Sequence, residues 1–188
     1  MPRIKLNFIT GNAHKLAEVQ AILGSTVEVK SQTVDVPEIQ GPIEDIAKEK
    51  ARRASAAING PALTEDTALE FHALNGLPGP YIKEFFNALG NEGLNRMLDG
   101  FNDRTAESVC TLAFCSKPGA EPIIFQGRTK GVIVRPRGPA NFAYDPIFEV
   151  GAKTYAEMEK EEKNRISDRY KALVKFQQWL IENHQQQV

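Results

Sequence analysis

The segment Thr10-Gly11-Asn12-Ala13-His14-Lys15 has the residue types needed to bind a phosphate group. A short apolar run typical of a strand ends at Gly11, and from Ala13 onward the apolar residues recur at helical spacing. The N-terminus of a helix presents N–H donors and a partial positive charge, and both attract anions. The alternative is an ordinary strand–turn–helix connection in which Asn12 is the N-cap.

Lys50 lies on the apolar side of a helix that we predict over Ile43 to Ile58. It follows Ile46 by four residues and Ala47 by three, and both spacings place side chains on one helix face. A lysine that faces a core either extends its ammonium group to water or pairs with an anion. The sequence leaves both interpretations open.

Two acidic segments are candidates for a metal site. Glu38 follows Pro37 after an extended segment over residues 26–36, and Glu65-Asp66 is predicted to end a strand that begins at Ala62. In an open α/β sheet the carboxyl ends of the strands face the usual ligand crevice. Two carboxylates are enough for Mg²⁺, which keeps several waters and also binds phosphate oxygens. The alternative is that these residues are ordinary surface acids.

Two segments near the end of the chain combine charge with aromatic or capping residues. Asn141-Phe142-Ala143-Tyr144-Asp145-Pro146 suits stacking on a nucleobase and hydrogen bonding to its edge, and the alternative is a packed turn. The charged run Glu161 to Arg169 predicts either a solvated face or the start of the last helix, with Ser167 as the N-cap. Taken together, the candidates describe a nucleoside triphosphate site without specifying the reaction.

The elements that must position these residues alternate as in an α/β fold. The first 67 residues predict the order β-α-β-α-β, and Gly76 to Pro80 is a loop that can be neither helix nor central strand. The remaining predicted elements are two short helices (Tyr81 to Leu89 and Glu92 to Leu98), two strands (Ala106 to Cys115 and Ile123 to Val134), a last helix from about Ser167 to Asn183, and a frayed tail over Gln185 to Val188.

Charge and cysteine content exclude several classes of protein. The chain has 188 residues, 23 basic and 24 acidic, so its net charge of −1 does not suit a protein that coats DNA or RNA. Cys110 and Cys115 lie in one apolar run and predict neither a disulfide framework nor a zinc site. No stretch is apolar and long enough for a signal peptide or a membrane span. We expect one domain over residues 1–188, located in the cytoplasm or alternatively the nucleus, with no nucleic-acid or membrane partner.

The chain carries eight short motifs between about Ile4 and Ile181, and their order is the same as in one known protein family. They are Phe8-Ile9-Thr10-Gly11-Asn12, Pro37-Glu38-Ile39-Gln40-Gly41, Thr64-Glu65-Asp66-Thr67, Gly76-Leu77-Pro78-Gly79-Pro80-Tyr81-Ile82-Lys83, Phe125-Gln126-Gly127, the segment from Phe142 to Phe148, Thr154-Tyr155-Ala156-Glu157-Met158 and Glu162-Lys163-Asn164. With these motifs the chain resembles the inosine triphosphate pyrophosphatase family, whose members remove non-standard purine nucleotides.

The resemblance implies a mixed α/β fold with a central sheet, two lobes and a ligand cleft between them, and it implies a homodimer. The implied reaction converts ITP, dITP and XTP to the monophosphate and pyrophosphate, with Mg²⁺ as the cofactor and Mn²⁺ as its alternative. Two other functions remain open: a nucleotide pyrophosphatase of different base preference, like the related Maf proteins, and a catalytically silent nucleotide-binding module.

The family's motifs also imply roles for single residues. Glu38 and Asp66 bind the metal, Asp66 is the general base that aligns a water against the α-phosphorus, and Lys50 is the third catalytic residue. The implied substrate contacts are Thr10, Gly11, Asn12, Ala13, His14 and Lys15 with the phosphates, then Lys50, Asp66, Thr67 and Lys83 with the triphosphate or the water, and finally Phe142, Ala143, Tyr144, Asp145, Lys163, Asp168 and Arg169 with the base.

The chain departs from the family's usual sequence at three positions. Asp168 replaces a histidine, and an ionised aspartate does not donate to a purine 6-oxo group; it could orient Arg169, accept from a purine N–H, or turn away. Ala143 replaces a glycine, and its methyl group either narrows the base pocket or is harmless. Glu159 replaces a common proline, with no catalytic effect expected.

Overall fold

The computed structural model describes residues 4–24 and 27–185 of the chain, and side chains within 5–24 and 27–183. Its strands are β1 (Ile4–Ile9), β2 (Val27–Gln32), β3 (Ala62–Phe71), β4 (Pro78–Gly79), β5 (Thr105–Cys115), β6 (Ile123–Ile133), β7 (Phe148–Val150) and β8 (Lys153–Thr154). Its helices are α1 (Ala13–Leu23), α2 (Ile43–Ile58), α3 (Ile82–Arg96), α4 (Lys160–Ile166) and α5 (Asp168–Gln185), with short 3₁₀ turns at His72–Leu74, Asp145–Ile147 and Tyr155–Glu157.

The strands form a mixed sheet in the order β2-β1-β3-β5-β6-β7-β8, and β4 pairs with β3 off this path. Strand β1 runs parallel to β2, with Ile4 opposite Val27, and parallel to β3, with Phe8 opposite Leu63. The pairs β3–β4, β6–β7 and β7–β8 are antiparallel. The mixed α/β fold expected from the sequence is confirmed.

The chain divides into two compact units. The first unit comprises the described parts of Met1–Asp66, Cys110–Gly127 and Arg169–Val188, and the second comprises Thr67–Val109 and Arg128–Asp168. The expectation of a single domain over the whole chain stays a prediction.

Each unit has its own apolar core. In the first unit Phe8, Leu63 and Phe176 are fully buried, and Phe176 packs edge-on against Phe125 at a ring distance of 5.3 Å. In the second unit the fully buried residues Phe71, Leu94, Leu98, Ile133 and Phe148 belong to one cluster. Burying one such side chain contributes about 1.5–3 kcal/mol, so the two clusters hold the elements that carry the polar residues.

Helix α2 has the bounds that its apolar spacing predicts. Its buried side chains include Ile46, Ala47, Ala51 and Ala54, which form one stripe. Acidic residues occupy the first turn, where their negative charge interacts favourably with the helix dipole. Asn59 ends the helix in the left-handed conformation. The predicted β1, α1, β5 and β6 are also found.

The two short helices predicted after the Gly76–Pro80 loop are found as α3. Its helical backbone is interrupted at Gly90, which has φ 64° and ψ −176°. A positive φ costs glycine little, so this residue ends the first half of α3 and starts the second.

The structure corrects three predicted element boundaries. Strand β3 continues to Phe71, so Glu65 and Asp66 lie within the strand instead of at its end. The extended segment after α1 forms a strand only over Val27–Gln32, and Thr26 lies outside the described residues. Helix α5 reaches Gln185, and the rest of the predicted frayed tail lies outside the described residues.

Two further predictions concern cysteines and membrane segments. Cys110 and Cys115 are both buried thiols on β5, as expected from their apolar surroundings. Among the described residues, no helix has the length and hydropathy needed to cross a membrane.

Candidate active site

The Lys50 ammonium group joins two carboxylates within the first unit. Its Nζ donates to Asp66 Oδ1 at 2.7 Å and to Glu38 Oε1 at 3.0 Å. Burial alone would lower the pKa of Lys50, but the two carboxylates outweigh burial and raise it. Lys50 therefore stays protonated and pairs with anions, which decides between the two interpretations left open by the sequence. We call Glu38, Lys50 and Asp66 the lysine–carboxylate cluster.

The second oxygen of Asp66 is the least satisfied atom of this cluster. Asp66 Oδ2 is buried and has no hydrogen-bond partner among the described residues. A buried carboxylate oxygen without a partner loses the hydration it has in water, so it favours a ligand that supplies a proton or a positive charge.

The donor set suits a divalent cation that keeps most of its waters. Glu38 and Asp66 share one ammonium group, so both carboxylates lie within reach of one small ion. The described residues form no group of three or more metal-binding side chains. Mg²⁺ commonly uses only one or two carboxylates, together with water and substrate phosphate, so the pair fits this ion.

Glu65, the neighbour of Asp66 on β3, belongs to a different ion network in the same unit. Successive strand residues point to opposite faces of a sheet. Arg169 donates to Glu65 through Nε at 2.8 Å and Nη2 at 2.9 Å, and Lys15 Nζ lies 3.2 Å from Glu65 Oε1. Arg169 Nη1 also donates to Glu18. We call Lys15, Glu18, Glu65 and Arg169 the arginine network.

The central pair of the arginine network, Glu65 and Arg169, is buried and ionised. The Glu65 side chain is 1% exposed and that of Arg169 is 5% exposed. Burial would raise the pKa of Glu65, but Arg169 and Lys15 outweigh it and lower the pKa to about 2. Two fully desolvated ions that satisfy each other bidentately give a rigid connection between β3 and the start of α5.

The start of α1 is capped as the alternative interpretation of this segment expects. Asn12 Oδ1 accepts from the backbone N–H of His14 at 3.0 Å and of Lys15 at 3.2 Å, and the Asn12 N–H donates to Thr10 Oγ1. Gly11, Asn12, Ala13 and His14 are exposed. The cap therefore uses two amides that would otherwise be available to an anion.

A second cluster of candidate residues lies in the second unit. Lys163 Nζ donates to Asp145 Oδ2 at 2.6 Å and lies 5.0 Å from the ring centre of Phe142 and 5.3 Å from that of Tyr155. These distances are typical of cation–π contacts. Phe142 is half-buried, whereas Lys163 and Asp145 are buried. We call these four residues the lysine–aromatic cluster.

Asp168 is attached to the lysine–aromatic cluster through Tyr155. Tyr155 Oη donates to Asp168 Oδ1 at 3.4 Å, and Asp168 is only 5% exposed. Burial raises the pKa of Tyr155, and the negative charge of Asp168 raises it further, so the hydroxyl remains a donor. The charged run from Glu161 to Arg169 is therefore not a solvated face, because Lys163, Asp168 and Arg169 in it are all buried.

Tyr144 is a core residue and does not offer an exposed ring to a ligand. It is buried in the second core, and its hydroxyl lies 2.8 Å from that of Ser108. Burial raises the pKa of Tyr144, with Asp168 as the next cause, so Tyr144 remains neutral. Of the two aromatic residues in the Phe142–Asp145 turn, Phe142 is half-buried and Tyr144 is buried.

The other residues predicted for the site have simpler surroundings. Lys83 is exposed in the first turn of α3, and Thr67 is half-buried on β3 directly after Asp66. Arg169 lies with Lys15 in the first unit, whereas Asp168 lies with the lysine–aromatic cluster in the second. The sequence assigned no role to Glu18 or Tyr155, and it offered Glu65 only as part of an acidic segment considered for the metal site, not as the partner of Arg169.

Comparison with known proteins places the chain in a family. Residues 6–179 match the Ham1 family. An inosine triphosphate pyrophosphatase of Emericella nidulans is 72% identical over 94% of this chain and 97% of its own length. A HAM1 protein from Coxiella burnetii has a TM-score of 0.85 and 32% identity, covering 95% of this chain and 99% of that chain. A nucleoside-triphosphatase, described also as a dITP/XTP pyrophosphatase, from Mycobacterium abscessus has a TM-score of 0.72 and 32% identity, covering 92% and 98%. These matches extend over almost the whole chain, and the protein therefore belongs to the Ham1 family.

Proposed function

We propose that this protein is a nucleoside triphosphate pyrophosphatase that hydrolyses the non-canonical purine nucleotides ITP, dITP and XTP to the monophosphate and pyrophosphate. Membership of the Ham1 family and the 72% identity to an inosine triphosphate pyrophosphatase support this assignment. The observation that carries it is the lysine–carboxylate cluster, because its buried, unpartnered Asp66 Oδ2 leaves an acceptor for a water proton or a metal ion.

In the proposed mechanism Asp66 is the general base. One of its oxygens is held by Lys50, and the other accepts a proton from the water that attacks the α-phosphorus. The raised pKa of Lys50 keeps its ammonium group charged, and that charge is held against the Asp66 and Glu38 carboxyl groups. Glu38 and Asp66 would hold Mg²⁺, with Mn²⁺ as the alternative, and the ion would supply positive charge to the phosphate oxygens and the leaving pyrophosphate.

Lys15 supports the binding of the phosphates. It lies in the first turn of α1, where the helix dipole adds to its charge. Glu65 fixes the Lys15 ammonium group at 3.2 Å and leaves it donors for an anion. Thr10, Gly11, Asn12, Ala13 and His14 extend this exposed surface, and Lys83 is proposed as a further phosphate contact.

The lysine–aromatic cluster and Asp168 are proposed to bind the base. The half-buried ring of Phe142 offers a face for stacking, and the Asp145 carboxylate accepts from base N–H groups. Asp168 is also acceptor-only when ionised, so we expect it to favour a base edge that donates. In this scheme Arg169 supports Lys15 through Glu65, in addition to the base contact that the family motif implies.

The assignment is tested by one substrate panel. Purified protein is incubated with ITP, XTP, GTP, ATP and UTP, and pyrophosphate and inorganic phosphate are measured separately. We expect pyrophosphate release from ITP and XTP at least tenfold faster than from ATP and UTP, and we expect EDTA to abolish it and Mg²⁺ to restore it. A tenfold preference corresponds to about 1.4 kcal/mol, the scale of one or two hydrogen bonds to the base.

Three results would change the proposal. Pyrophosphate release from GTP, ATP or UTP at least as fast as from ITP would rule out the preference for non-canonical purines and favour the alternative pyrophosphatase. Binding of ITP without hydrolysis would favour a catalytically silent module. Release of inorganic phosphate instead of pyrophosphate would place the cleavage at a different phosphorus. Location in the cytoplasm and assembly as a homodimer are separate proposals that this assay does not address.

A further inference from the structure

The turn that carries Phe142 and Asp145 has an unusual backbone at its centre. The Asp145 N–H donates to the Phe142 carbonyl at 3.0 Å, which closes the turn. Between them Ala143 has φ 37°, a conformation that residues with a Cβ rarely adopt. A strained turn of this kind keeps its shape only where neighbouring groups hold it.

Asn91 supplies a direct side-chain bond to this turn. Its Nδ2 donates to the Ala143 carbonyl at 3.1 Å. Asn91 follows Gly90, where the backbone of α3 is interrupted, and it therefore begins the second half of the helix.

The two ends of the Asn91 amide are used differently. Its Oδ1 is buried and has no hydrogen-bond partner among the described residues. The amide therefore leaves a buried acceptor unsatisfied, while its N–H group reaches Ala143. This arrangement is expected where the position of the turn matters more than full pairing of the amide.

We propose that Asn91 is a positioning residue for base recognition, which holds the Phe142–Asp145 turn through the Ala143 carbonyl. The proposal rests on the proposed function, because it takes that turn as the place where the base binds. Asn91 does not belong to the lysine–carboxylate cluster or to the arginine network, so its loss should weaken binding of the base and leave the chemical step intact.

The test compares the two products as inhibitors, since each reports one end of the substrate. Inosine monophosphate carries the base, and inorganic pyrophosphate does not. The variants are Asn91→Asp, which keeps the size of the side chain but replaces the donor by an acceptor, and Asn91→Ala, which removes the amide. Asn87→Asp is the matched control, because Asn87 is exposed on the first half of the same helix.

For Asn91→Asp we expect KM for ITP and Ki for inosine monophosphate to rise by about fivefold to tenfold, with a smaller rise for Asn91→Ala. We expect kcat and Ki for pyrophosphate to stay within about twofold of the wild type, and Asn87→Asp to match the wild type throughout. Circular dichroism and thermal unfolding of each variant show whether it is folded at the assay temperature.

Other outcomes overturn the proposal. Unchanged KM and Ki in both Asn91 variants would show that the bond to Ala143 has no role in recognition. A parallel loss of kcat and of pyrophosphate binding would show a general structural role. A wild type that neither hydrolyses ITP nor binds inosine monophosphate would overturn the proposed function together with this inference, whereas an active wild type with unaffected variants would overturn the inference alone.

Discussion

Asp66 differs from the other acids of the chain in how its two oxygens are used. One oxygen accepts a short hydrogen bond from Lys50, and the other is buried with no partner among the described residues. Glu65, one residue earlier, has both oxygens paired with Arg169. Glu65, with both oxygens paired, therefore has a structural role, whereas Asp66 has an oxygen available for chemistry.

We expect Asp66→Asn to lower kcat for ITP by about 10²–10⁴-fold, because an amide accepts no proton from water at neutral pH. The fold should be retained, since the substitution keeps the size of the side chain. Steady-state pyrophosphate release and circular dichroism measure the two effects. Asp35→Asn, at an exposed acid before Glu38, is the control with unchanged activity. Activity near that of the wild type would remove Asp66 from the mechanism.

Ala143 has a φ of 37°, a conformation that glycine adopts at lower cost than a residue with a Cβ. We expect Ala143→Gly to raise the free energy of unfolding by about 0.5–1 kcal/mol, because relief of the strained φ exceeds the entropy that glycine adds to the unfolded chain.

Urea denaturation measures the effect of Ala143→Gly. The control is Ala140→Gly, an exposed position in the same loop whose φ is not positive. There the same change should lower the free energy of unfolding by up to about 1 kcal/mol. If both substitutions destabilise the protein equally, the backbone at Ala143 is not strained.

At the scale of elements, β3 connects the two ionic groups of the first unit. Its residue Asp66 reaches Lys50 on α2, and its residue Glu65 reaches Lys15 on α1 and Arg169 on α5. The alternation of side chains along a strand makes this possible with two consecutive residues. A shift of β3 by one residue would exchange the two carboxylates, so the register of the strand fixes which acid meets which helix.

The arginine network predicts how stability depends on pH. The pKa of Glu65 is about 2 in the folded protein, below its usual value of 4.5. Because the folded pKa is lowered, the ionised carboxylate contributes about 3 kcal/mol to the free energy of unfolding. This contribution is present above about pH 4.5 and is lost as the pH falls toward 2.

We therefore expect Glu65→Gln to be destabilised by about 3–5 kcal/mol at pH 7, because it leaves the buried Arg169 with less charge compensation. The difference from the wild type should shrink as the pH falls from 5 to 2.5. Urea denaturation at several pH values measures it, and Glu161→Gln is the control at an exposed acid on α4. A difference that stays constant with pH would mean that Glu65 is not ionised in the folded protein.

The sequence predicted elements better than it predicted ionic partners. The bounds of α2 follow from an apolar stripe, and the place of Lys50 on that stripe indicated an ion pair. Helix α4 was missed, because its seven residues contain no apolar repeat. Its buried Lys163 depends on Asp145, eighteen residues away, and on two aromatic rings, so no local pattern could reveal it.

The same reason explains the error in β3. Its acids resemble a strand end because isolated carboxylates are costly inside a sheet. They are tolerated at these positions because Lys50 pairs with Asp66 and Arg169 pairs with Glu65. Strand β3 continues past these acids because their partners are distant in the sequence. Hydrophobic periodicity carries no information on such partners.

At the scale of the whole molecule, the net charge of −1 results from cancellation. Lys15, Lys50, Lys163 and Arg169 are each paired with acids in compact clusters. Charged groups of both signs are therefore concentrated where the ligand is proposed to bind, while the small net charge leaves little repulsion between copies of the chain.

We expect the protein to form a homodimer through the second unit. Leu77, Leu89 and Phe101 are 52%, 46% and 45% exposed in the single chain, and all three belong to that unit. Exposed apolar side chains that form one continuous patch mark an interface, and we predict that these three contribute to such a patch. Light scattering after size-exclusion chromatography should give a mass of twice 20.8 kDa.

Replacing Leu77 and Phe101 together by Glu should convert the protein to a monomer at micromolar concentration, because an interface would have to bury two unpaired charges. The matched control replaces Val174 and Ile181 of α5, each 39% exposed in the first unit, by Glu and should remain a dimer. A monomeric wild type would contradict assembly, and loss of the dimer in the control alone would place the interface on the first unit.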